Sequence, residues 1–287
     1  MPVRRIAIVT DSTCDLPNGL LEQHRIRFVP LRIVYKTHEY RDRIDITAEQ
    51  VIDRFADEVP KTTLPLADDV HAVFDSLKAE GYTDAVYLSI SGGLSGSCNF
   101  VRLLAQQYEG MCIEVVDTST VSVPLGFLVL EAAREAERSG DLKAIVERVT
   151  QIRSRMDTMF VIKNLDFLVC GGRLGFVEGA MGSLLDIKPI ITFGMDGLCH
   201  TVSKAKGFKR TVQKMVSTFQ EKYAGKRINI AVVHAAAAED ANELLENIKK
   251  IATVCESYVS HLCPALSIYG GPGLVGATVY EVDDPVC

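Results

Sequence analysis

The 287-residue sequence contains no tryptophan, and only 7% of its residues are aromatic. Apolar residues nevertheless make up 47% of the chain, so the core must be built mainly from Leu, Ile, Val and Ala. There is no excess of basic residues, because 31 Lys and Arg face 37 Asp and Glu. A net charge of −6 neutralises phosphates poorly, which argues against nucleic acid as a partner.

Long hydrophobic runs are also absent. The longest, over residues 121–133, contains Pro124 and is shorter than the ~18 residues that a membrane span needs. The first apolar run, residues 6–10, is ended by Asp11 and is too short for the core of a signal peptide. We therefore expect a cytoplasmic protein without stable membrane insertion.

Paired cysteines are missing as well. The eight cysteines are widely spread, with no Cys-x-x-Cys and no histidine at ligand spacing beside them. This pattern argues against a structural zinc site. In a cytoplasmic protein it predicts reduced and mostly buried thiols.

What is present is an alternation of short apolar runs and helical periods. In the first half we predict strands over 5–11, 28–35, 84–91 and 112–118, separated by helices such as 67–80 and 99–108. Near-continuous apolar strands alternating with helices indicate a parallel sheet covered on both faces. A further helix over 142–152, capped by Asp141, would end this part of the chain.

The second half has a different pattern. Strands are predicted over 160–162, 187–193, 198–202, 228–234, 256–261 and 275–282, and helices over 164–172, 208–222 and 239–251. Residues 195–198 read as a hairpin turn, so the sheet should be mixed. We thus predict two α/β domains: a parallel α/β/α domain over residues 1–155 and a mixed-sheet domain over 156–287.

Hydroxyl-rich loops follow three of the predicted parallel strands, over residues 10–13, 91–97 and 117–120. Each loop alone could simply cap a helix. Together they favour a binding edge, because ligands of parallel sheets lie at the carboxyl ends of the strands. Thr62 and Thr63 form a further hydroxyl loop. Ser95 should open the helix near Gly96, where free N–H groups favour a carboxylate or phosphate.

Two segments of the sequence come close to known functional motifs but do not meet their requirements. Residues 271–276 match G-x-G-x-x-G, but a predicted strand follows them rather than a helix, which argues against dinucleotide binding. Residues 93–96 approach the nucleophile pattern G-x-S-x-G, with the second glycine one position early. A serine hydrolase acting through Ser95 and a binder of another small anionic metabolite remain as alternatives.

At these loops the sequence resembles the DegV family of fatty-acid-binding proteins. The similar segments run in chain order over nearly the whole sequence. T-D-S-T-C-D-L-P at 10–17 fits the family's T-D-S-x-x-D-L-P, T-T-L-P at 62–65 is similar to T-S-x-P, and G-L-S-G-S at 93–97 is similar to G-L-S-G-T. D-T-S-T-V-S at 117–122 resembles D-S-x-x-x-S, L-D-F-L-V-C-G-G-R at 165–173 resembles L-x-Y-L-x-K-G-G-R, and I-K-P-I at 187–190 and G-P-G at 271–273 are identical to the family's patterns.

The resemblance implies a long-chain fatty acid as ligand, no other cofactor, and no catalysis without a separate fatty acid kinase subunit. It places the carboxylate on Thr62 or Thr63, on Ser95 and beside Tyr269. The residues it implies around the pocket are Ser12, Gly93, Leu94, Gly96, Ser122 and Gly271, and those toward a kinase are Arg173 and Lys206.

Several positions depart from the family pattern. Tyr269 stands where a histidine is usual, Cys170 replaces a lysine, and Lys206 replaces an arginine. A tyrosine can donate a hydrogen bond but cannot carry positive charge. Lysine does not reproduce the bidentate geometry of arginine. We expect these changes to affect docking of a kinase more than binding of a ligand.

Overall fold

A computed structural model describes residues 4–172 and 186–282 of the protein. Across these residues the strands, in chain order, are β1 (Ile6–Asp11), β2 (Arg27–Val29), β3 (Arg32–Val34), β4 (Glu39–Arg41), β5 (Lys61–Thr63), β6 (Asp84–Ser89), β7 (Cys112–Asp117), β8 (Asp157–Val161), β9 (Ile187–Phe193), β10 (Cys199–Lys206), β11 (Arg227–His234), β12 (Thr253–His261) and β13 (Val275–Glu281). The α-helices are α1 (Asn18–Gln23), α2 (Ala48–Asp53), α3 (Ala67–Ala79), α4 (Ser97–Gln107), α5 (Val123–Ser139), α6 (Leu142–Arg155), α7 (Asp166–Cys170), α8 (Phe208–Tyr223), α9 (Ala238–Lys249) and α10 (Pro264–Gly270).

The predicted parallel sheet is confirmed, with strand order β2-β1-β6-β7 and all neighbours parallel. Alternate residues of β1 face opposite layers, as the pleat requires. Val9 packs in one core with Phe74 of α3 and Val101 of α4. Ile8 packs on the other side with residues of α5 and α6. The sheet is therefore covered on both faces.

The predicted mixed sheet is also confirmed, with order β10-β9-β8-β13-β11-β12. Only β11 and β12 pair in parallel, and the other pairs are antiparallel. Helices α8 and α9 cover one face through residues such as Phe219 and Leu244. The opposite face turns toward α5, which contacts strands of both large sheets.

The domain division remains a prediction. Its boundary falls between α6, which ends at Arg155, and β8, which begins at Asp157. However, one hydrophobic cluster crosses it, because Ile8 and Leu128 pack in the same core as Val233 and Tyr280. The two sheets thus share a buried seam along α5.

Residues 28–35 do not form the single strand that we predicted. Pro30 carries no N–H group and interrupts the run, so β2 joins the parallel sheet while β3 enters a separate antiparallel sheet of order β4-β3-β5. The predicted loop at Thr62 and Thr63 is the edge strand β5 of that small sheet, with Thr62 opposite Ile33. The short helix α10 had no sequence signal that we recognised.

The prediction of reduced, mostly buried cysteines holds in part. Six of the described cysteines are free, and Cys14, Cys98 and Cys263 are buried, but Cys112 and Cys170 are exposed. Cys255 is disulfide-bonded, contrary to the prediction. None of the described helices is both long and apolar enough to cross a bilayer. Within the same residues no group of His, Cys, Asp and Glu side chains is arranged to hold a metal ion.

Candidate ligand-binding site

An apolar cavity of about 150 Å³ lies in the seam between the two large sheets. Both halves of the chain supply its walls. Examples from the first half are Ile90, Leu94 and Val121, and from the second half Met159, Phe160, Phe193, Leu266 and Leu274. The walls are mostly aliphatic, as the composition predicts, and they suit a flexible hydrocarbon better than a polar metabolite.

A polar surface cleft of about 420 Å³ adjoins this cavity, and the two share Leu31, Thr62, Leu94 and Ser95. The remaining cleft residues include Thr63 and Gly92, which are exposed. The boundary between apolar cavity and solvent therefore lies at Thr62 and Ser95.

Two hydroxyls from distant parts of the chain meet at this boundary. Thr62 Oγ1, on β5, and the Tyr269 hydroxyl, on α10, are hydrogen-bonded across 207 positions of sequence. Either oxygen could be the donor. Both residues line the cavity, so the pair can offer a hydrogen bond to an acceptor placed there.

Ser95 lies in the turn between β6 and α4. Its backbone N–H donates to the carbonyl of Ser91 at 3.0 Å. Its Oγ accepts from the N–H of Ser97 at 3.2 Å and lies 2.8 Å from Ser97 Oγ. The turn therefore caps the start of α4 and places the Ser95 hydroxyl at the N-terminal end of the helix dipole, which favours negative charge.

The other hydroxyls in the cavity wall already have partners. Thr13 Oγ1 donates to a carboxylate oxygen of Asp11, and Ser122 Oγ donates to Asp15, so neither has a proton left for a ligand. Thr158 Oγ1 is hydrogen-bonded to Thr278 Oγ1 at 2.9 Å, and Thr158 does not line the cleft. Thr62 and Ser95 line both cavity and cleft and Tyr269 is bonded to Thr62, which makes these three the candidates for an anionic head group.

The family model for DegV, described as an uncharacterised protein family, matches residues 5–282. The chain belongs to the DegV family. A DegV domain-containing protein of Clostridium perfringens is 34% identical over 279 residues, which cover 97% of this chain and 99% of the relative.

Solved DegV structures have the same fold. A DegV family protein of Thermus thermophilus, described by its fatty acid binding, has a TM-score of 0.86 at 29% identity and covers 97% of this chain and 100% of its own. A DegV lipid-binding protein of Thermotoga maritima has a TM-score of 0.86 at 25% identity, with 97% and 99% covered.

The structure brings most of the residues implied by the DegV resemblance to one place. Those that line the cavity are Thr62, Leu94, Ser95, Ser122 and Tyr269. Those that line the adjoining cleft are Thr63, Gly93 and Gly96.

Four of the implied residues lie elsewhere or cannot be placed. Ser12 is buried outside the lining, and its Oγ accepts from the N–H of Leu31 at 3.0 Å. Gly271 is also outside it and has a positive φ of 63° where it packs against the ring of Phe167. Lys206 is exposed at the end of β10. Arg173 lies outside the described residues.

Sequence reasoning missed Arg153, which ties the β9–β10 hairpin to the first half of the protein. Its guanidinium donates to the carbonyls of Thr118, Ser119, Phe193 and Gly194 at 2.8–3.4 Å. Burial lowers the pKa of this guanidinium. Since Phe193 lines the cavity, Arg153 helps to hold one of its walls. A lone arginine in an amphipathic helix carries no sequence signal for such a role.

Two buried acids beside the cavity have raised pKa values. Burial raises the pKa of Asp15 to about 7, against the opposing effect of the Ser122 hydrogen bond. Burial likewise raises the pKa of Asp42 to about 6. In both cases the charged form is disfavoured because water is excluded.

Asp15 makes a pH-dependent contribution to stability that can be measured. The folded protein keeps a proton on Asp15 at pH values where the unfolded chain, with a pKa near 3.8, has released it. The free energy of unfolding should therefore fall as pH rises from about 4 to about 7, by up to ~4 kcal/mol from this group. Asp15→Asn should remove that fall, so the variant gains stability relative to wild type between pH 5 and pH 8 in urea unfolding.

Asp45→Asn is the matched control. Its partner Arg41 lowers the pKa of Asp45, so Asp45 stays charged at both pH 5 and pH 8. The difference in the free energy of unfolding between Asp45→Asn and wild type should then be equal at the two pH values. The same result for Asp15→Asn would contradict the prediction.

Proposed function

We propose that this protein binds a long-chain fatty acid, with the acyl chain in the apolar cavity and the carboxylate at Thr62, Ser95 and Tyr269. The observation that carries the proposal is the junction of a hydrocarbon-lined cavity with a polar surface cleft at three hydroxyls. The fatty acid and lipid binding described for the solved DegV relatives supports it.

The acyl chain and the carboxylate of the fatty acid have different roles in this arrangement. Burying a chain of ~16 carbons at ~0.8 kcal/mol per CH₂ amounts to a gross ~13 kcal/mol. Much of this free energy is offset because the acyl chain loses conformational freedom and the ligand loses translational and rotational freedom. The hydroxyls add charge-assisted hydrogen bonds that fix the orientation and prevent an unpaired buried charge.

The cavity must adjust to accept such a chain. Its volume of about 150 Å³ is below the ~300–1,000 Å³ of typical ligand pockets. Leu94, Leu266 and Leu274 are flexible aliphatic residues in its wall. We expect them to change rotamer as the chain enters.

The second part of the proposal is that the bound carboxylate is presented to a separate kinase, which would form an acyl phosphate. Exposed cleft residues surround the proposed head-group position, so a second protein can approach it. Lys206 and Arg173 are the proposed contacts with that partner. Lys206 ends β10 roughly 23 Å along the strand from Cys199, which lines the cavity, at ~3.3 Å per residue.

The alternatives have less support. A hydrolase needs a base at its nucleophile, whereas the recorded partners of Ser95 Oγ are the hydroxyl and N–H of Ser97. A small polar metabolite would leave the apolar cavity unused. Neither alternative explains the extent of hydrocarbon wall behind the hydroxyls.

Organic extraction of the purified protein should release a long-chain fatty acid detectable by mass spectrometry. Val233→Phe places extra volume in the cavity wall, because Val233 lines the cavity and packs in the core between the two large sheets, and it should reduce the extracted amount several-fold. Val232→Phe is the matched control, because the adjacent Val232 is buried in the core under α8 and α9. Repeated absence of fatty acid, with no uptake of added palmitate, would contradict the proposal.

The head-group residues can be separated by hydroxyl deletion. Thr62→Val, Ser95→Ala and Tyr269→Phe should each weaken palmitate binding by about 10–100-fold, the equivalent of one hydrogen bond to a charged group. Thr63→Val is the control and should change affinity by less than about twofold, since Thr63 Oγ1 donates to the carbonyl of Leu64. Titration calorimetry measures all four, and equal effects at Thr62 and Thr63 would refute the assignment.

Presentation to a kinase is tested by adding a DegV-type kinase subunit, ATP and palmitate, and trapping acyl phosphate with hydroxylamine. Lys206→Glu should lower the rate at least tenfold without changing palmitate affinity. Lys143→Glu reverses an exposed charge on α6 and should have no effect. Full activity of Lys206→Glu would remove this residue from the interface.

A further inference from the structure

The helix that carries Tyr269 cannot set its own position. Helix α10 has seven residues, and helices of this length are not stable in isolation. It nevertheless supplies Leu266, Tyr269 and Gly270 to the cavity wall. The placement of these residues must come from the contacts that hold the helix.

Two buried carboxylates from the first half of the chain hold its N-terminal end. Asp15 Oδ1 accepts from the N–H of Cys263 at 2.8 Å, and Asp42 Oδ1 accepts from the N–H of Ala265 at 3.0 Å. These are N–H groups that the helix itself leaves without partners. The pairs span 248 and 223 positions of sequence, so no local preference could produce them.

Each carboxylate is itself held in place. The second oxygen of Asp15 accepts from the Ser122 hydroxyl. Asp42 directly follows β4, and its own N–H donates to the carbonyl of Leu31 at 2.9 Å. The guanidinium of Arg43, which lies near both acids, donates to the carbonyl of Leu16 at 2.9 Å.

The small antiparallel sheet links these contacts to the head-group site. Strand β3 pairs on one side with β4, which leads into Asp42, and on the other with β5, which carries Thr62. One side of this sheet thus provides the acid that holds α10, and the other provides the hydroxyl that meets Tyr269. The Thr62–Tyr269 contact depends on α10 being fixed to the same sheet.

We propose that Asp15 and Asp42 are positioning residues of the head-group site, which fix α10 through the N–H groups of Cys263 and Ala265 so that Tyr269 meets Thr62. The inference rests on the proposed function, because its purpose is to place Tyr269 at the fatty-acid carboxylate. Neither acid touches the ligand in this arrangement.

The test compares Asp42→Asn, which keeps an oxygen acceptor for Ala265, with Asp42→Ala, which does not. Asp42→Ala should weaken palmitate binding at least tenfold, while Asp42→Asn should stay within about threefold of wild type. In addition, Tyr269→Phe should cost about tenfold in wild type and less than twofold in the Asp42→Ala background. Asp45→Ala, on the same loop and paired with Arg41, is the control and should bind as wild type does.

A second measurement needs no ligand. In protein labelled with ¹³C-tyrosine, the ring signal of Tyr269, assigned with Tyr269→Phe, should shift in Asp42→Ala and not in Asp42→Asn or Asp45→Ala. If wild type binds no palmitate, the proposed function fails, and the Tyr269 signal still decides the positioning role. An unshifted signal in folded Asp42→Ala, or an undiminished Tyr269→Phe penalty, would overturn the inference.

Should Asp42→Ala not fold, hydrogen exchange of the wild-type protein decides instead. Coupling between α10 and the head group is reciprocal, so saturating palmitate should slow exchange of the Cys263 and Ala265 amides. Unchanged exchange of both amides would overturn the inference.

Discussion

A polar group buried at the seam between the two large sheets needs a partner, because an unpaired hydroxyl or charge there costs several kcal/mol. Among the described residues, Asp42 Oδ2 is an exception with no donor at hydrogen-bond distance. This requirement organises the site. Thr13 and Ser122 donate to Asp11 and Asp15, and Arg153 donates to backbone carbonyls. The hydroxyls at the cleft, by contrast, bond to each other at the boundary with solvent, where a ligand oxygen can join them.

The same seam makes the site a property of the whole chain. Cavity walls come from loops that follow the strands of the parallel sheet, from strands of the mixed sheet with its β9–β10 hairpin, and from α10. An ionic network centred on the buried Glu131 of α5 reinforces the contact between the two sheets. Glu131 accepts from the partly exposed Arg134 and Arg148, and Arg134 also contacts Glu256 of β12. A ligand held in this seam would contact residues of both predicted domains and stabilise their association.

In the proposed head-group site, the three donors Thr62, Ser95 and Tyr269 are hydroxyl groups. Thr62, Ser95 and Tyr269 can all donate to a carboxylate, but none can neutralise it. A histidine, which the family pattern leads one to expect, would add a charge that varies near neutral pH. A tyrosine adds no positive charge. The acids nearby whose pKa values burial raises are Asp11, Asp15 and Asp42.

The sequence by itself determined the parallel sheet, the mixed sheet and the hairpin, because each depends on local hydrophobic period and turn residues. It also indicated the hydroxyl loop at Ser95 and, through the DegV motifs, the residues around the cleft. It did not indicate the break at Pro30, the strand at Thr62, the helix α10 or the role of Arg153. Only the tertiary structure decided how Thr62 meets Tyr269 and how Asp15 and Asp42 hold α10, because these hydrogen bonds join residues more than 200 positions apart and no local pattern encodes them.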